Sequence, residues 1–284
     1  MSDKLFETAE IKEMVRVRYG GIAAGTVSQC CAPTGASCCD PATASTVLGK
    51  AREMGYSAED LAAVPDGANL GLGCGNPQAI AAMKSGEVVV DLGSGAGFDC
   101  LLAARQVGAG GRVIGVDMTH EMLTRARENA AKVAAANVEF RLGEIEHLPI
   151  ADNTADVIIS NCVVNLVPDK AQVFREAFRV LKPNGRLAIS DVVNVQPLPS
   201  VLAADRALIC GCIVGAAAPS QIETWLATAG FTDIRITVKP ESRELIATWA
   251  PGRGIENYVA SAIIEGRKPG SGGEAACCPT SCCT

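Results

Sequence analysis

The sequence predicts an α/β fold: a mostly parallel, twisted sheet with helices on both faces, an N-terminal helical extension and a C-terminal region that completes the sheet. Three observations predict it. From Glu87 onward, short apolar runs alternate with segments of helical period. Those runs are almost continuous in Val, Ile and Leu, as strands buried on both faces require. Hydrophobic residues make up 48% of the 284-residue chain and aromatics only 4%, so the core is built from aliphatic side chains.

Taken in order, Ile11, Met14, Val15 and Arg18 fall at helical spacing within residues 7–19. Residues 20–46 lose periodicity and read as a flexible loop carrying Cys30-Cys31 and Cys38-Cys39. Ser57-Ala-Glu-Asp60 is a capping-box start for a short helix at 58–63. Asp66 to Pro77 is a glycine-dense loop, and Pro77 begins a helix expected to end near Gly86. Strands are predicted at Val88–Leu92, Arg112–Asp117, Val138–Leu142, Val157–Ser160 and Arg186–Asp191. Between them come helices at Phe98–Val107, Glu121–Ala135 and about 170–181. Beyond Pro199, helices are expected at roughly 201–212 and 219–229, then strands at Asp233–Val238 and about Tyr258–Gly266. This divides the chain into an N-terminal extension (1–76), a core (77–195), a C-terminal region (196–268) and a Cys-rich Gly/Ser tail (269–284).

Charge and composition exclude several classes. Net charge is −6, with 25 basic against 31 acidic residues and no Lys/Arg cluster, which argues against a nucleic-acid partner. The N-terminus lacks the apolar run of a signal peptide. The uncharged stretch at residues 207–222, rich in Gly, Ala and Cys, falls short of the ~20 apolar residues of a membrane span. A soluble, cytoplasmic protein is expected. Thirteen cysteines beside two histidines are unusual for such a chain. In a reducing compartment they stay mostly thiols, which points to soft-ion or redox chemistry and away from mixed Cys/His zinc sites.

Asp91-Leu-Gly-Ser-Gly-Ala-Gly97 follows the first strand and opens a helix. Gly93, Gly95 and Gly97 let a ligand approach the backbone, and Asp117, with Met118 beside it, closes the second strand where an acid can accept both ribose hydroxyls. Either a dinucleotide or S-adenosylmethionine fits. Two features favour the latter: Asp91 suits an amino-acid ammonium, and the glycine spacing is not the G-x-G-x-x-G of dinucleotide binders.

Outside the vicinal pairs stand Cys74, Cys100, Cys162, Cys210 and Cys212. Cys100 reads as a small buried hydrophobe. Cys162 lies just past the fourth strand, at the edge where open α/β sheets bind ligands. Cys74 lies on the glycine loop, read as the more mobile of the three carriers, and Cys212 in a Gly-Cys segment. Three thiols from separate segments converging near a cofactor imply a soft, thiophilic substrate.

Leu72-Gly-Cys-Gly-Asn-Pro77, Ile159-Ser-Asn-Cys-Val-Val-Asn-Leu-Val-Pro-Asp-Lys170 and Gly211-Cys212 resemble the arsenite methyltransferases of the class I superfamily. Arg18-Tyr19-Gly20, Glu241-Ser-Arg243 and Trp249-Ala-Pro-Gly-Arg253 extend the likeness over about residues 11–268. The resemblance implies a Rossmann-like fold, S-adenosylmethionine as cofactor and trivalent arsenic as substrate in a detoxifying methylation. It implies that Cys74, Cys162 and Cys212 are the arsenic ligands and catalytic residues. It also implies a redox-active N-terminal cysteine, for which Cys30, Cys31, Cys38 and Cys39 are all candidates. Leu142-Gly-Glu-Ile-Glu146 resembles the adenine-contacting segment, with Glu144 accepting from the adenine amino group and Ile145 packing on the ring. A thiol reductant such as thioredoxin or glutathione would close the redox cycle by exchange. Two rival readings exist. A quinone-type C- or O-methyltransferase leaves the dispersed cysteines unexplained. A non-catalytic metalloid binder leaves Asp91, the glycines and Asp117 unexplained.

Overall fold

The computed structural model describes residues 7–26 and 41–270. Cys30, Cys31, Cys38, Cys39 and the four cysteines of the tail lie outside the described residues. The helices are α1 (Thr8–Ala23), α2 (Pro41–Glu53), α3 (Ala58–Ala62), α4 (Gln78–Ala81), α5 (Phe98–Val107), α6 (His120–Lys132), α7 (Lys170–Val180), α8 (Ser200–Ala203), α9 (Arg206–Ile209), α10 (Pro219–Ala229) and α11 (Arg243–Ala247). The strands are β1 (Val88–Leu92), β2 (Arg112–Asp117), β3 (Val138–Leu142), β4 (Ala155–Asn161), β5 (Leu181–Asn194), β6 (Thr232–Lys239) and β7 (Val259–Arg267).

The seven strands form one sheet in the order β3-β2-β1-β4-β5-β7-β6, with β7 antiparallel to both neighbours. Strand order reverses between β1 and β4, which pair in parallel with Val89 opposite Val157 and Leu92 opposite Ser160. Loops leave that point in opposite directions and open a crevice at the carboxyl edge. Ile158 and Ile189 pack beneath one face, and Val89, Val157 and Ile159 beneath the other. A further apolar cluster sits above the carboxyl edge, where Val15 of α1 meets Leu166, Leu208, Ile213 and Ile246. Burying such side chains stabilises each by about 1.5–3 kcal/mol. The site is therefore framed by the N-terminal extension and the C-terminal insertion together.

Ser57 and Asp60 form the expected capping box, each side chain bonding the other's backbone N–H at 3.0 and 2.9 Å. Three expectations need correction. Part of the predicted loop 20–46 is helix: α1 runs on to Ala23 and α2 begins at Pro41. Gly49 within α2 weakens the local helix signal, while Pro41 at its start supplies a fixed φ. The helix from Pro77 stops at Ala81 instead of Gly86, because Ala82 turns left-handed (φ 44°) and Arg186 takes the terminal carbonyls of Ala81 and Ala82 at 2.5 and 2.7 Å. The same guanidinium forms a two-pronged pair with Glu87. The single helix expected at 201–212 is two short ones, because the Asp205 carboxylate accepts from the N–H groups of Ala207 and Leu208 and starts a new helix.

Gly215 ends the segment bearing Cys212, and a Cβ there would lie 2.0 Å from the carbonyl oxygen of Asn165. Gly215→Ala should therefore lose about 1–3 kcal/mol. Gly49→Ala, whose Cβ would meet nothing within 4 Å in a helix interior, should gain about 0.5–1 kcal/mol. Urea unfolding of both variants against wild type checks the contrast, and equal stability of the two would contradict it.

Candidate active site

A cavity opens at the carboxyl ends of β1, β2 and β4, closed above by Lys12, Val15 and Tyr19 of α1 and on one side by Ala51, Met54 and Tyr56. Asp91, Gly93, Gly95, Asp117, Met118 and Ile145 all line it. Gly93 and Gly95 take φ of +70° and +51°, a region costly for other residues. The Asp117 carboxylate accepts from the Gly95 N–H at 2.9 Å and the Thr119 N–H at 2.8 Å, so it braces the glycine turn while facing the cavity. Gly97 has another role. It does not line the cavity; a Cβ there would stand 3.0 Å from the Phe140 ring, so its smallness lets α5 pack on the sheet. Glu144 is likewise outside the cavity wall and pairs with Lys12 at 2.6 Å. Lys12 also reaches Glu146 at 3.0 Å, and Glu146 does line the cavity. The acid that faces in is thus two residues on from the expected one.

Two buried carboxylates face the cavity without a cationic side chain bonded to either, among the described residues. Burial, then the neighbouring Asp99, pushes Asp91 well above the usual carboxylate range. Burial also raises Asp99, against the donors Tyr56, Asn161 and Gln78. The Tyr56 hydroxyl donates to Asp99 at 2.7 Å. Cys100, expected to be bland, donates its thiol hydrogen to Asp91 at 3.2 Å. Asn69 Nδ2 and Ser94 Oγ, both lining the cavity, are buried with no hydrogen-bond partner. Buried polar atoms ordinarily find partners, and among the described residues these two have none, which leaves both able to bond a ligand in the cavity. Two acids, two orphaned polar groups and an apolar wall of Met118, Met122 and Ile145 fit a cationic amino-acid nucleoside such as S-adenosylmethionine. Sequence reasoning passed over Asp99, Asn69 and Ser94. Ser94 stood inside the glycine motif, and Asn69 in a glycine loop was the one available hint of the other two.

The three dispersed thiols converge beside this cavity. Cys162 lines its wall, while Cys74 and Cys212 are buried next to it, 3% and 2% exposed. The sulfurs of Cys74 and Cys162 lie within 4.8 Å of each other. Cys212 donates its own thiol hydrogen to the Cys162 carbonyl at 2.9 Å. Cys162 and Cys212 both have left-handed backbones, φ 61° and 64°, which cost about 1–3 kcal/mol each for a non-glycine residue. Burial pushes the Cys74 thiol up to about 11. Cys162 is lowered by Cys212 but raised overall by Cys74 and burial, and Cys212 is raised by Cys162 and then by burial. Thiols this close and this dry stay protonated until an electrophile displaces the hydrogens.

The loop bearing Cys74 is not the mobile carrier expected. Its backbone N–H donates to Asn161 Oδ1 at 3.1 Å, and its carbonyl accepts from Ser261 Oγ at 3.1 Å. Cβ atoms at Gly73 and Gly75 would collide with Asn161 and Ser190, so the glycines serve close approach to the sheet edge. Asp191 was unforeseen as a site residue. It is 2% exposed, accepts from Asn165 Nδ2 at 2.9 Å and from Val192 N at 2.7 Å, and is raised to about 6 by burial.

A family model for a methyltransferase domain matches residues 83–230. The arsenite methyltransferase of Halobacterium salinarum is 53% identical over 266 residues, covering 92% of this chain and 67% of that protein. The arsenite methyltransferase of Homo sapiens is 38% identical over 157 residues, 52% of this chain and 42% of that one. Among solved structures, an arsenic(III) S-adenosylmethionine methyltransferase from Chlamydomonas reinhardtii is 32% identical with a TM-score of 0.59, over 80% of this chain and 74% of that chain. The chain therefore spans about two thirds of the halobacterial relative and under half of the human one. With a mostly parallel sheet that reverses order at the glycine turn, and 53% identity to the halobacterial protein over 92% of its own length, the chain belongs to the arsenite methyltransferase family of S-adenosylmethionine-dependent methyltransferases.

Proposed function

We propose that the protein methylates trivalent arsenic held by Cys74, Cys162 and Cys212. The observation that carries the reading is the clustering of three buried thiols from three distant segments beside a nucleoside-type cavity, with Cys162 on its wall, Cys74 within 4.8 Å of it and Cys212 on its carbonyl. S-adenosylmethionine, when bound, supplies an electrophilic methyl group on a sulfonium. Asp91 and Asp99 would offer it negative charge, Asp117 would accept from ribose, and Ile145 and Met118 would hold the base.

Trivalent arsenic is soft and prefers sulfur donors. Each cysteine binds as its hydrogen leaves with an arsenic-bound hydroxide as water, so no base is consumed. Three Sγ–As bonds leave arsenic pyramidal with its lone pair uncovered. Nothing needs to be deprotonated at that lone pair, so the chain's contribution is positioning, worth up to roughly 7–11 kcal/mol of barrier. Cys162, on the cavity wall, turns the arsenic toward the cofactor. Methylation oxidises arsenic to the pentavalent state. Two thiols return it to the trivalent state by forming a disulfide, which an external thiol of thioredoxin or glutathione type then reduces. The N-terminal vicinal cysteines are candidates for that disulfide. No helix among the described residues is long and apolar enough to cross a membrane, and a cytoplasmic setting, where such reductants abound, suits the chemistry.

Asp117→Ala removes a charged acceptor and the brace on Gly95 together. It should weaken S-adenosylmethionine binding at least about tenfold, from the ~1.5–3 kcal/mol of a charged hydrogen bond. Calorimetry checks this, and an unchanged affinity would remove Asp117 from the cofactor site.

Cys162→Ser and Cys212→Ser should each abolish arsenite methylation and keep cofactor affinity, because hydroxyls are poor ligands for arsenic. Near-normal turnover with labelled cofactor, arsenite and a reducing thiol would sink the three-thiol site. Monomethylated trivalent arsenic has two exchangeable positions, which the contacting pair Cys162 and Cys212 can fill. Cys74→Ser should therefore lose turnover of arsenite but keep part of the turnover of the monomethylated substrate. Equal loss on both would make the three thiols one obligatory unit.

A further inference from the structure

The Sγ atoms of Cys74 and Cys162 and a carboxylate oxygen of Asp191 lie within 4.8 Å of one another, and all three residues are buried. We propose that these three residues form a second ligand set, a binding site for zinc(II), that shares two thiols with the arsenic set and replaces Cys212 with Asp191.

The donor chemistry supports zinc. Two sulfurs and one carboxylate oxygen suit this borderline-soft ion, and three protein ligands with an open fourth position form a standard zinc environment. Bond lengths of about 2.3 Å to sulfur and 2.0–2.2 Å to oxygen imply tetrahedral edges of roughly 3.5–3.8 Å. Ligand atoms already within 4.8 Å of one another need to move about 1 Å or less to meet those edges.

The surroundings hold the ligands in place. Asp191 Oδ1 accepts from Asn165 Nδ2 and the Val192 N–H, whereas Oδ2 has a long 3.4 Å contact with the Asn165 N–H. A carboxylate offers about four acceptor positions, so capacity for an ion remains. Such outer hydrogen bonds orient metal ligands. Asn161 and Ser261 fix the backbone of Cys74. Two thiolates and a carboxylate would outweigh zinc by one negative charge, and the nearby Lys170 ammonium, largely buried, offsets it. Cys212 is differently engaged, with its thiol on the Cys162 carbonyl.

Binding one aqua zinc ion releases two thiol protons and coordinated water, with no change of oxidation state. Since Cys74 and Cys162 belong to both sets, zinc excludes arsenic. This last consequence rests on the arsenic reading given above; the zinc site itself does not.

The test uses the reduced full chain, with a phosphine as reductant so that zinc is not sequestered by added thiol. Zinc chloride is titrated against a chromophoric chelator for wild type, Asp191→Asn, Cys74→Ser and Cys212→Ser. The vicinal cysteine pairs are the same in all four proteins, so differences report this site. One equivalent should weaken about tenfold or more in Asp191→Asn and Cys74→Ser, and stay in Cys212→Ser. Cofactor affinity reports the folding of each variant. The wild-type minus Cys74→Ser difference spectrum with cobalt(II), which does not depend on any change at Asp191, should show tetrahedral bands with charge-transfer intensity for two thiolates. Zinc affinity unchanged by Asp191→Asn, loss in Cys212→Ser equal to that in Cys74→Ser, or intensity for three thiolates would each overturn the proposal. Zinc should also raise the apparent KM for arsenite. If zinc binds as described but does not compete, the arsenic assignment fails while the zinc site stands.

Discussion

The side chain of Asn161 joins the two halves of the site. Its Nδ2 donates to the Gly75 carbonyl at 2.9 Å and to Asp99 at 3.2 Å, while its Oδ1 accepts from the Cys74 N–H. Asp99 belongs to the cofactor cavity and Cys74 to the thiol cluster, so one amide at the end of β4 fixes the distance between them. Cys162 is the next residue along the chain. The placement of the proposed thiol site relative to the cavity thus depends on one strand end, itself locked by pairing with β1 and β5. A parallel sheet buried on both faces is among the stiffest supports available for such a geometry.

Strain and burial are concentrated in the same place. Cys162 and Cys212 sit in left-handed conformations that glycine would adopt more readily. The Cys162 N–H is held by the Ser190 carbonyl at 2.9 Å, and Cys212 follows the short helix α9. Neighbouring hydrogen bonds and apolar packing around Leu208 and Ile213 over-determine both turns. The outcome is a cluster of buried thiols, Cys74 and Cys162 within 4.8 Å of each other and Cys212 on the Cys162 carbonyl, whose ionisation burial opposes.

The cofactor side shows a parallel compromise. Asp91 and Asp99 are two carboxylates in one dry cavity, each raised by burial and Asp91 further by its neighbour. Such a pair destabilises the fold unless a cation joins it. A cationic group bound between them would relieve that repulsion. Binding and fold stability are coupled through these two groups.

Much of this was already determined in the sequence. Val88–Leu92, Phe98–Val107, Arg112–Asp117 and Val138–Leu142 have the bounds that apolar runs and glycines define, because strand period and helix period are local properties. Cys74, Cys162 and Cys212 stood out as a set from their dispersed positions and from the resemblance of their motifs to arsenite methyltransferases. The tertiary structure decided the rest. Glu146, not Glu144, lines the cavity, and both are tied to Lys12 of α1, more than 100 residues earlier, by ion pairs that no local pattern encodes. The firmness of the Cys74 loop depends on Asn161 and Ser261, contacts across 87 and 187 residues. Asp191 read as an ordinary strand residue until β5 carried it beside two thiols. Spacing along a chain records which side chains share a face, whereas the approach of one loop to another is set by how the sheet closes and by what its edge leaves room for.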